Sequence, residues 1–193
     1  MLRLAEKMSR LGTETAFDVL ARAETLTKEG RDIINLGIGQ PDFKTPEHIV
    51  EAAIKALHDG HHGYTPSPGI PHLRESVARD LATYRGVNVA PDRIVIVPGG
   101  KVTMFFAILM FGEPGVDILY PNPGFPIYQS VIEFTGARAV PVRLLEENDF
   151  SFDAETILSQ ITEDTRLLIL NSPANPTGGA ASKIEMDRLV AGL

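Results

Sequence analysis

Cysteine is absent from the 193 residues, so the chain has no disulfide, no thiolate nucleophile and no cysteine-ligated zinc or iron–sulfur centre. A reducing compartment is thereby permitted. Basic residues are outnumbered by acidic ones, the formal net charge is −7, and the basic residues form no extended cluster. Nucleic acid is therefore not an expected partner. The longest apolar run, Met104 to Phe111, falls far short of the roughly 20 residues a spanning helix needs. Met1 to Gly12 also lacks the apolar centre of a signal peptide. The expectation is a soluble cytoplasmic protein with no membrane partner. Internal repeats and low-complexity segments are missing too. A chain of this length builds one core and buries roughly 70% of its extended surface.

What is present is an alternation of strand-like and helix-like segments. An amphipathic helical arm is expected over residues 1–31, with apolar Phe17, Leu20 and Ala21 and an end near Gly30. A short extended piece, Ile33 to Ile38, follows. The pattern from Pro46 to Gly60 is helical, with Thr45 as N-cap and Ile49, Ala52, Ala53, Ala56 and Leu57 on one face. Another helix is expected from Pro71 to Arg85. Strands then read at Ile94–Val97, Asp117–Tyr120, Ala139–Val142 and Leu167–Leu170, with helices from Lys101, near Ile127–Phe134 and over Ala154–Ile161 between them. This order predicts an α/β fold with a mostly parallel sheet flanked by helices.

Three of the loops carry chemistry. Asn171-Ser-Pro-Ala-Asn175-Pro-Thr-Gly-Gly179 follows a strand-like stretch. Its prolines remove backbone freedom and donors, leaving the Asn175 amide as a polar hand on a stiff loop. Either X-Pro bond there, Ser172-Pro173 or Asn175-Pro176, can be held cis by modest contacts. Ser182 with Glu185 three residues on reads as a capping box for the next helix. Pro98-Gly99-Gly100-Lys101 stands between a strand and an apolar helix, where glycines and a helix N-terminus suit a phosphate. It is not a Walker A loop, which requires glycine at Val95 and Ser or Thr at Val102. The dinucleotide fingerprint also fails, for want of its third glycine. Tyr120-Pro-Asn-Pro-Gly-Phe125 brings an aromatic to the next strand's carboxyl end, the edge where open α/β sheets bind ligands. Read singly, the glycine pair serves equally as a tight turn, Phe125 as a core anchor, and the proline loop as an ordinary connection.

Together they resemble the pyridoxal-phosphate-dependent aminotransferases of class I/II, fold type I, of aspartate-aminotransferase kind. The resemblance runs from roughly Asn35 to Leu193 through Gly-Gln-Pro-Asp-Phe at 39–43, Tyr-Thr-Pro-Ser-Pro-Gly at 64–69, Gly-Gly-Lys at 99–101, Asn-Pro-Gly-Phe-Pro-Ile-Tyr at 122–128 and Asn-Ser-Pro-Ala-Asn-Pro-Thr-Gly at 171–178. It implies an arm and small-domain segment over 1–45 and the first part of the cofactor-binding large domain over 46–193. It also implies pyridoxal 5'-phosphate as cofactor, an amino acid and a 2-oxo acid as substrates, and a homodimer. Gly99, Gly100 and Lys101 would offer main-chain donors to the phosphate, and Phe125 would stack on the pyridine ring. Asn175 would bond the phenolic oxygen, with its peptide to Pro176 cis. Tyr64 would reach the neighbouring subunit's phosphate, and Gly39 would meet the substrate carboxylate.

The family's Schiff-base lysine and its substrate-gripping arginine lie later in the pattern than Leu193. The six lysines, Lys7, Lys28, Lys44, Lys55, Lys101 and Lys183, include none in the expected Ser-x-x-Lys setting after a late strand. The chain is therefore expected to be truncated before that lysine. A non-catalytic fragment that binds the cofactor or a partner subunit, and a lyase or decarboxylase on the same scaffold, stand as the alternatives. His58, His61 and His62 read as a solvated helix end, and no metal site is expected.

Overall fold

The computed structural model describes residues 3–12 and 15–193. Residues 1, 2, 13 and 14 of the expected arm lie outside the described residues. Its helical part is α1, Thr15–Lys28, preceded by a short 3₁₀ turn at Glu6–Arg10. Helices α2 (Glu47–His58) and α3 (Pro71–Arg85) bury no residue. Pro71 at the first helical position and left-handed Gly86 at the end delimit α3. Helix α2 begins one residue later than expected. Pro46, not Thr45, is its N-cap, and no side chain caps it.

The core lies in the second half. After α4 (Gly100–Phe111) come β1 (Asp117–Asn122), α5 (Ile127–Thr135), β2 (Arg138–Arg143), α6 (Ala154–Gln160), β3 (Thr165–Leu168) and α7 (Lys183–Gly192). The three strands form one parallel sheet in the order β2-β1-β3. Central β1 is buried from Asp117 through Pro121, as a strand covered on both faces must be. Successive side chains take opposite faces. Ile118 and Tyr120 join Ile108 of α4 and Tyr128, Val131 and Ile132 of α5, while Leu119 joins Val142, Ile157 of α6 and Leu189 of α7. β3 pairs with β1 through an irregularity between Asp117 and Ile118, and Ile169 N–H still donates to Leu119 C=O at 2.9 Å beyond its last rung.

The expected strand Ile94–Val97 is not in the sheet. Its exposure alternates as a strand's would, with Ile94 buried and Val95 exposed, but a ladder needs a neighbour and none of the three strands lies beside it. Its backbone bonds elsewhere: Ile96 N–H donates to Pro68 C=O, and Ile94 C=O accepts from Arg74 Nε at 2.9 Å. The piece Ile33–Ile38 likewise carries no pairing. Among the described residues no helix is long and apolar enough to cross a membrane.

Candidate functional site

The connections leaving β1 and β3 and the start of α4 meet at an open cleft of about 710 Å³. Gly100, Lys101, Thr103 and Met104 line it from α4, Phe125 and Tyr128 from the segment after β1, and Leu167 to Asn171 and Asn175 from β3 and its loop. Four of the residues expected at a ligand site, Gly100, Lys101, Phe125 and Asn175, thus share one cavity. Gly99 is the N-cap beside it. Tyr64 and Gly39 do not line the cleft, and the Tyr64 side chain is fully exposed.

The α4 end is shaped for an anion. Gly99 has φ +89°, a conformation other residues rarely adopt, and this turns the chain into the helix so that α4 points its N-terminus at the cleft. The first N–H groups of a helix have no intrahelical carbonyl to bond and carry partial positive charge. A Cβ on Gly99 or Gly100 would meet nothing within 4 Å, so the space before the helix end is open. The chain carries net charge −7, yet among the described residues the charged one lining this cleft is Lys101. Lys101 Nζ stands 5.3 Å from the centroid of the Phe125 ring and 5.5 Å from that of Phe17 on α1, both within cation–π range.

Phe125 is half-buried and packs edge-on against Tyr128, with centroids 6.0 Å apart and planes at 78°. It anchors the core margin and presents a ring to the cleft at once. Burial raises the Tyr128 hydroxyl pKa above its ordinary value. Tyr120 is raised likewise, by burial and then by the Glu133 charge, and its hydroxyl donates to Gln129 Oε1 at 3.2 Å. Both phenols are therefore neutral at physiological pH.

The Asn175 loop is tied to itself at several points. Ala174 N–H donates to Gly179 C=O at 2.8 Å, Gly178 N–H to Ala174 C=O at 2.7 Å, and Ala181 N–H to Ser172 Oγ at 2.8 Å. Gly179 must be glycine because a Cβ there would collide with the Phe150 carbonyl oxygen. Ser172-Pro173 and Asn175-Pro176 are both cis, and so is Asn122-Pro123, which had not been singled out. Asn171, Tyr128 and Thr103 also line the cleft without having been assigned a role. Asn171 and Tyr128 stand in the motifs quoted above, but nothing in spacing alone tells which of a motif's residues face the cavity. No group of three or more metal-ligating side chains gathers among the described residues.

Comparison with known proteins gives a consistent picture. The family model for aminotransferase class I and II matches residues 31–192. The aspartate aminotransferase of Bacillus subtilis is 33% identical over 97% of this chain and 48% of its own length. For a probable aspartate/prephenate aminotransferase of Aquifex aeolicus the figures are 36%, 96% and 47%. Among solved structures, the aspartate aminotransferase from Thermus thermophilus with maleate superposes with a TM-score of 0.93 at 34% identity, over all of this chain and 50% of that one. The alanine aminotransferase from Pyrococcus furiosus gives 0.89 at 31% identity, over 98% and 49%. The chain spans about half the length of the curated relatives it matches.

Proposed function

Because the chain belongs to the class I and II aminotransferases, we propose that its cleft is the cofactor-holding part of a site for pyridoxal 5'-phosphate, in an enzyme that moves an amino group between an amino acid and a 2-oxo acid. The convergence of a glycine-led helix N-terminus, an aromatic ring and a carboxamide on one cavity carries this reading. The volume suits it, since small-molecule sites run to about 300–1,000 Å³.

The residues divide the work. Main-chain N–H groups at Gly100 and Lys101 hold the phosphate, a helix-end interaction of about 0.3–1 kcal/mol and up to about 2 when partly buried. That of Gly99 is taken by Val97 C=O at 2.9 Å. Phe125 offers its face to the pyridine ring, about 0.5–1.5 kcal/mol beyond burial. Asn175 bonds the phenolic oxygen. When bound, the cofactor supplies the electron sink that the transfer of an amino group requires. Gly39 meets the substrate carboxylate through its backbone. Tyr64, which the cleft does not use, reaches the phosphate of a second copy in a homodimer. The lysine that would carry the covalent link is not among the residues of this cleft other than Lys101, which we assign to the phosphate end.

Titration with pyridoxal phosphate, followed by absorbance, tests the site. Asn175→Ala is expected to weaken binding about tenfold, the equivalent of one hydrogen bond to a charged group, and to shift the absorbance band. An unchanged spectrum and affinity would remove Asn175 from the site. The reaction class is tested on the protein purified from its native source. An amino donor should yield its 2-oxo acid beyond one equivalent per site only with an acceptor present, and release of ammonia or carbon dioxide instead would replace transfer with lyase or decarboxylase chemistry.

A further inference from the structure

We infer that Asn171 is a positioning residue that fixes the direction in which the Asn175 side chain enters the cleft. The peptide plane between Ala174 and Asn175 is bonded at both ends. Its carbonyl accepts from Gly178 N–H at 2.7 Å, and its N–H donates to Asn171 Oδ1 at 2.8 Å. With that plane held, the N–Cα bond about which the Asn175 side chain swings is fixed in place. The other backbone ties in this loop end run between residues of the loop itself. Ala174 is buried against the core around Leu119, Ile157 and Leu189, and its N–H is taken by Gly179 C=O. Asn171 supplies the side-chain contact that completes the set.

Its own footing is firm. Asn171 stands two residues after Ile169, whose N–H is still bonded to Leu119 C=O of β1, so the clamp is referred to the sheet and not to the loop it holds. Its Nδ2 donates to Pro173 C=O at 3.3 Å, which orients the amide so that Oδ1 faces Asn175. Asparagine suits the place for two reasons. Aspartate would keep the acceptor but lose the Pro173 bond, and it would put a negative charge in the cleft where the phosphate is proposed to sit. An unionisable clamp also holds Asn175 alike at every pH at which the fold survives.

The inference rests on the reading of Asn175 as a cofactor contact, and two measurements on this chain separate the failure of one from that of the other. The first needs no ligand. In ¹⁵N relaxation, which reports picosecond-to-nanosecond motion, the heteronuclear NOE of Asn175 should fall in Asn171→Ala and be kept in Asn171→Asp. An unaltered value in the alanine variant overturns the clamp. If Asn171→Ala does not fold, Asn171→Gln takes its place. Its longer side chain cannot keep the 2.8 Å contact in the same loop, so retained order at Asn175 there is equally fatal.

The second measurement is a double-mutant cycle on pyridoxal phosphate affinity. Asn171→Ala should weaken binding about tenfold, as one net hydrogen bond converts to affinity. Adding it to Asn175→Ala should weaken binding no further, because the residue acts through Asn175. Penalties that multiply would mean Asn171 serves the fold or the ligand directly, and the inference fails. If the unmutated chain does not bind pyridoxal phosphate, the cofactor reading falls and the relaxation result alone decides the clamp.

Discussion

Asp117 opens β1 with a carboxylate that is almost wholly buried, a placement that requires a partner. Arg138, opening β2 in the neighbouring register position, provides it. Its Nε donates to Oδ1 at 2.7 Å and its Nη2 to Oδ2, with Thr162 Oγ1 at 3.5 Å from Oδ2. The Arg138 hydrogen bonds hold the Asp117 pKa below its ordinary value, burial pulls against them, and the arginine charge and Thr162 add to the lowering. A carboxylate depressed in the folded state stabilises above the unfolded value of about 3.9 and loses that contribution as pH falls through the folded one. Asp117→Asn should therefore lower Tm at pH 7, and the two Tm curves should converge as acid protonates the native carboxylate. Parallel curves down to pH 2 would show that the pair contributes no acid sensitivity. Asp117 was legible as a strand residue, but its pairing was not. Arg138 is 21 positions away, and only the β1–β2 register brings the two together.

Among the elements, α7 shows what a local pattern can and cannot say. Ser182 caps it as the Ser-x-x-Glu spacing implied, its Oγ accepting from Glu185 N–H at 3.2 Å. The reciprocal half of the box is spent elsewhere. Glu185 Oε2 accepts from Ala154 N–H at 2.8 Å and Oε1 from Arg188 at 2.7 Å, so this carboxylate caps the start of α6, the helix packed beside α7. Asp153 caps α6 as well, through Thr156 N–H at 2.7 Å, and that bond lowers its pKa. Ser182→Ala should cost about 1 kcal/mol. Glu185→Ala, which uncovers a donor on another helix, should cost about 1–3 kcal/mol. Urea unfolding would measure both, and a Glu185→Ala loss close to zero would mean that the α6 contact adds nothing. The strand Ile94–Val97 teaches the complementary lesson. Its apolar run told its extended character, but the alternating exposure was not legible in four apolar residues, and sheet membership is a property of two segments. The three segments that found partners here were all read from sequence to within a few residues.

At the scale of the whole molecule, the site was legible further than the surface. The motifs at 122–128 and 171–178 name loops that the parallel topology must bring to one edge, and 99–101 joins them at the start of α4 although the strand expected before it is outside the sheet, whereas Tyr64 and Gly39 do not line the cleft. For α4 the sequence showed only an apolar run, Met104–Phe111, that looks alike all round. The structure decides which side is core: Ile108 is fully buried, while Phe106 is 57% and Met110 74% exposed. Val95, Leu36 and Phe43 add further exposed apolar surface. Exposed apolar surface, where it is contiguous, marks interaction surfaces or aggregation liabilities, and both β2 and β3 are edge strands. The chain should therefore associate with rising concentration in light scattering. Phe106→Glu combined with Met110→Glu should reduce that association while leaving pyridoxal phosphate affinity within about twofold, since a surface change away from the ligand is worth at most about 0.5 kcal/mol and neither residue lines the cleft. Undiminished association in the double variant would shift the responsible surface from α4 to the strand edges. A matching loss of affinity would mean instead that the outer face of α4 is coupled to its N-terminus, where the phosphate is proposed to sit.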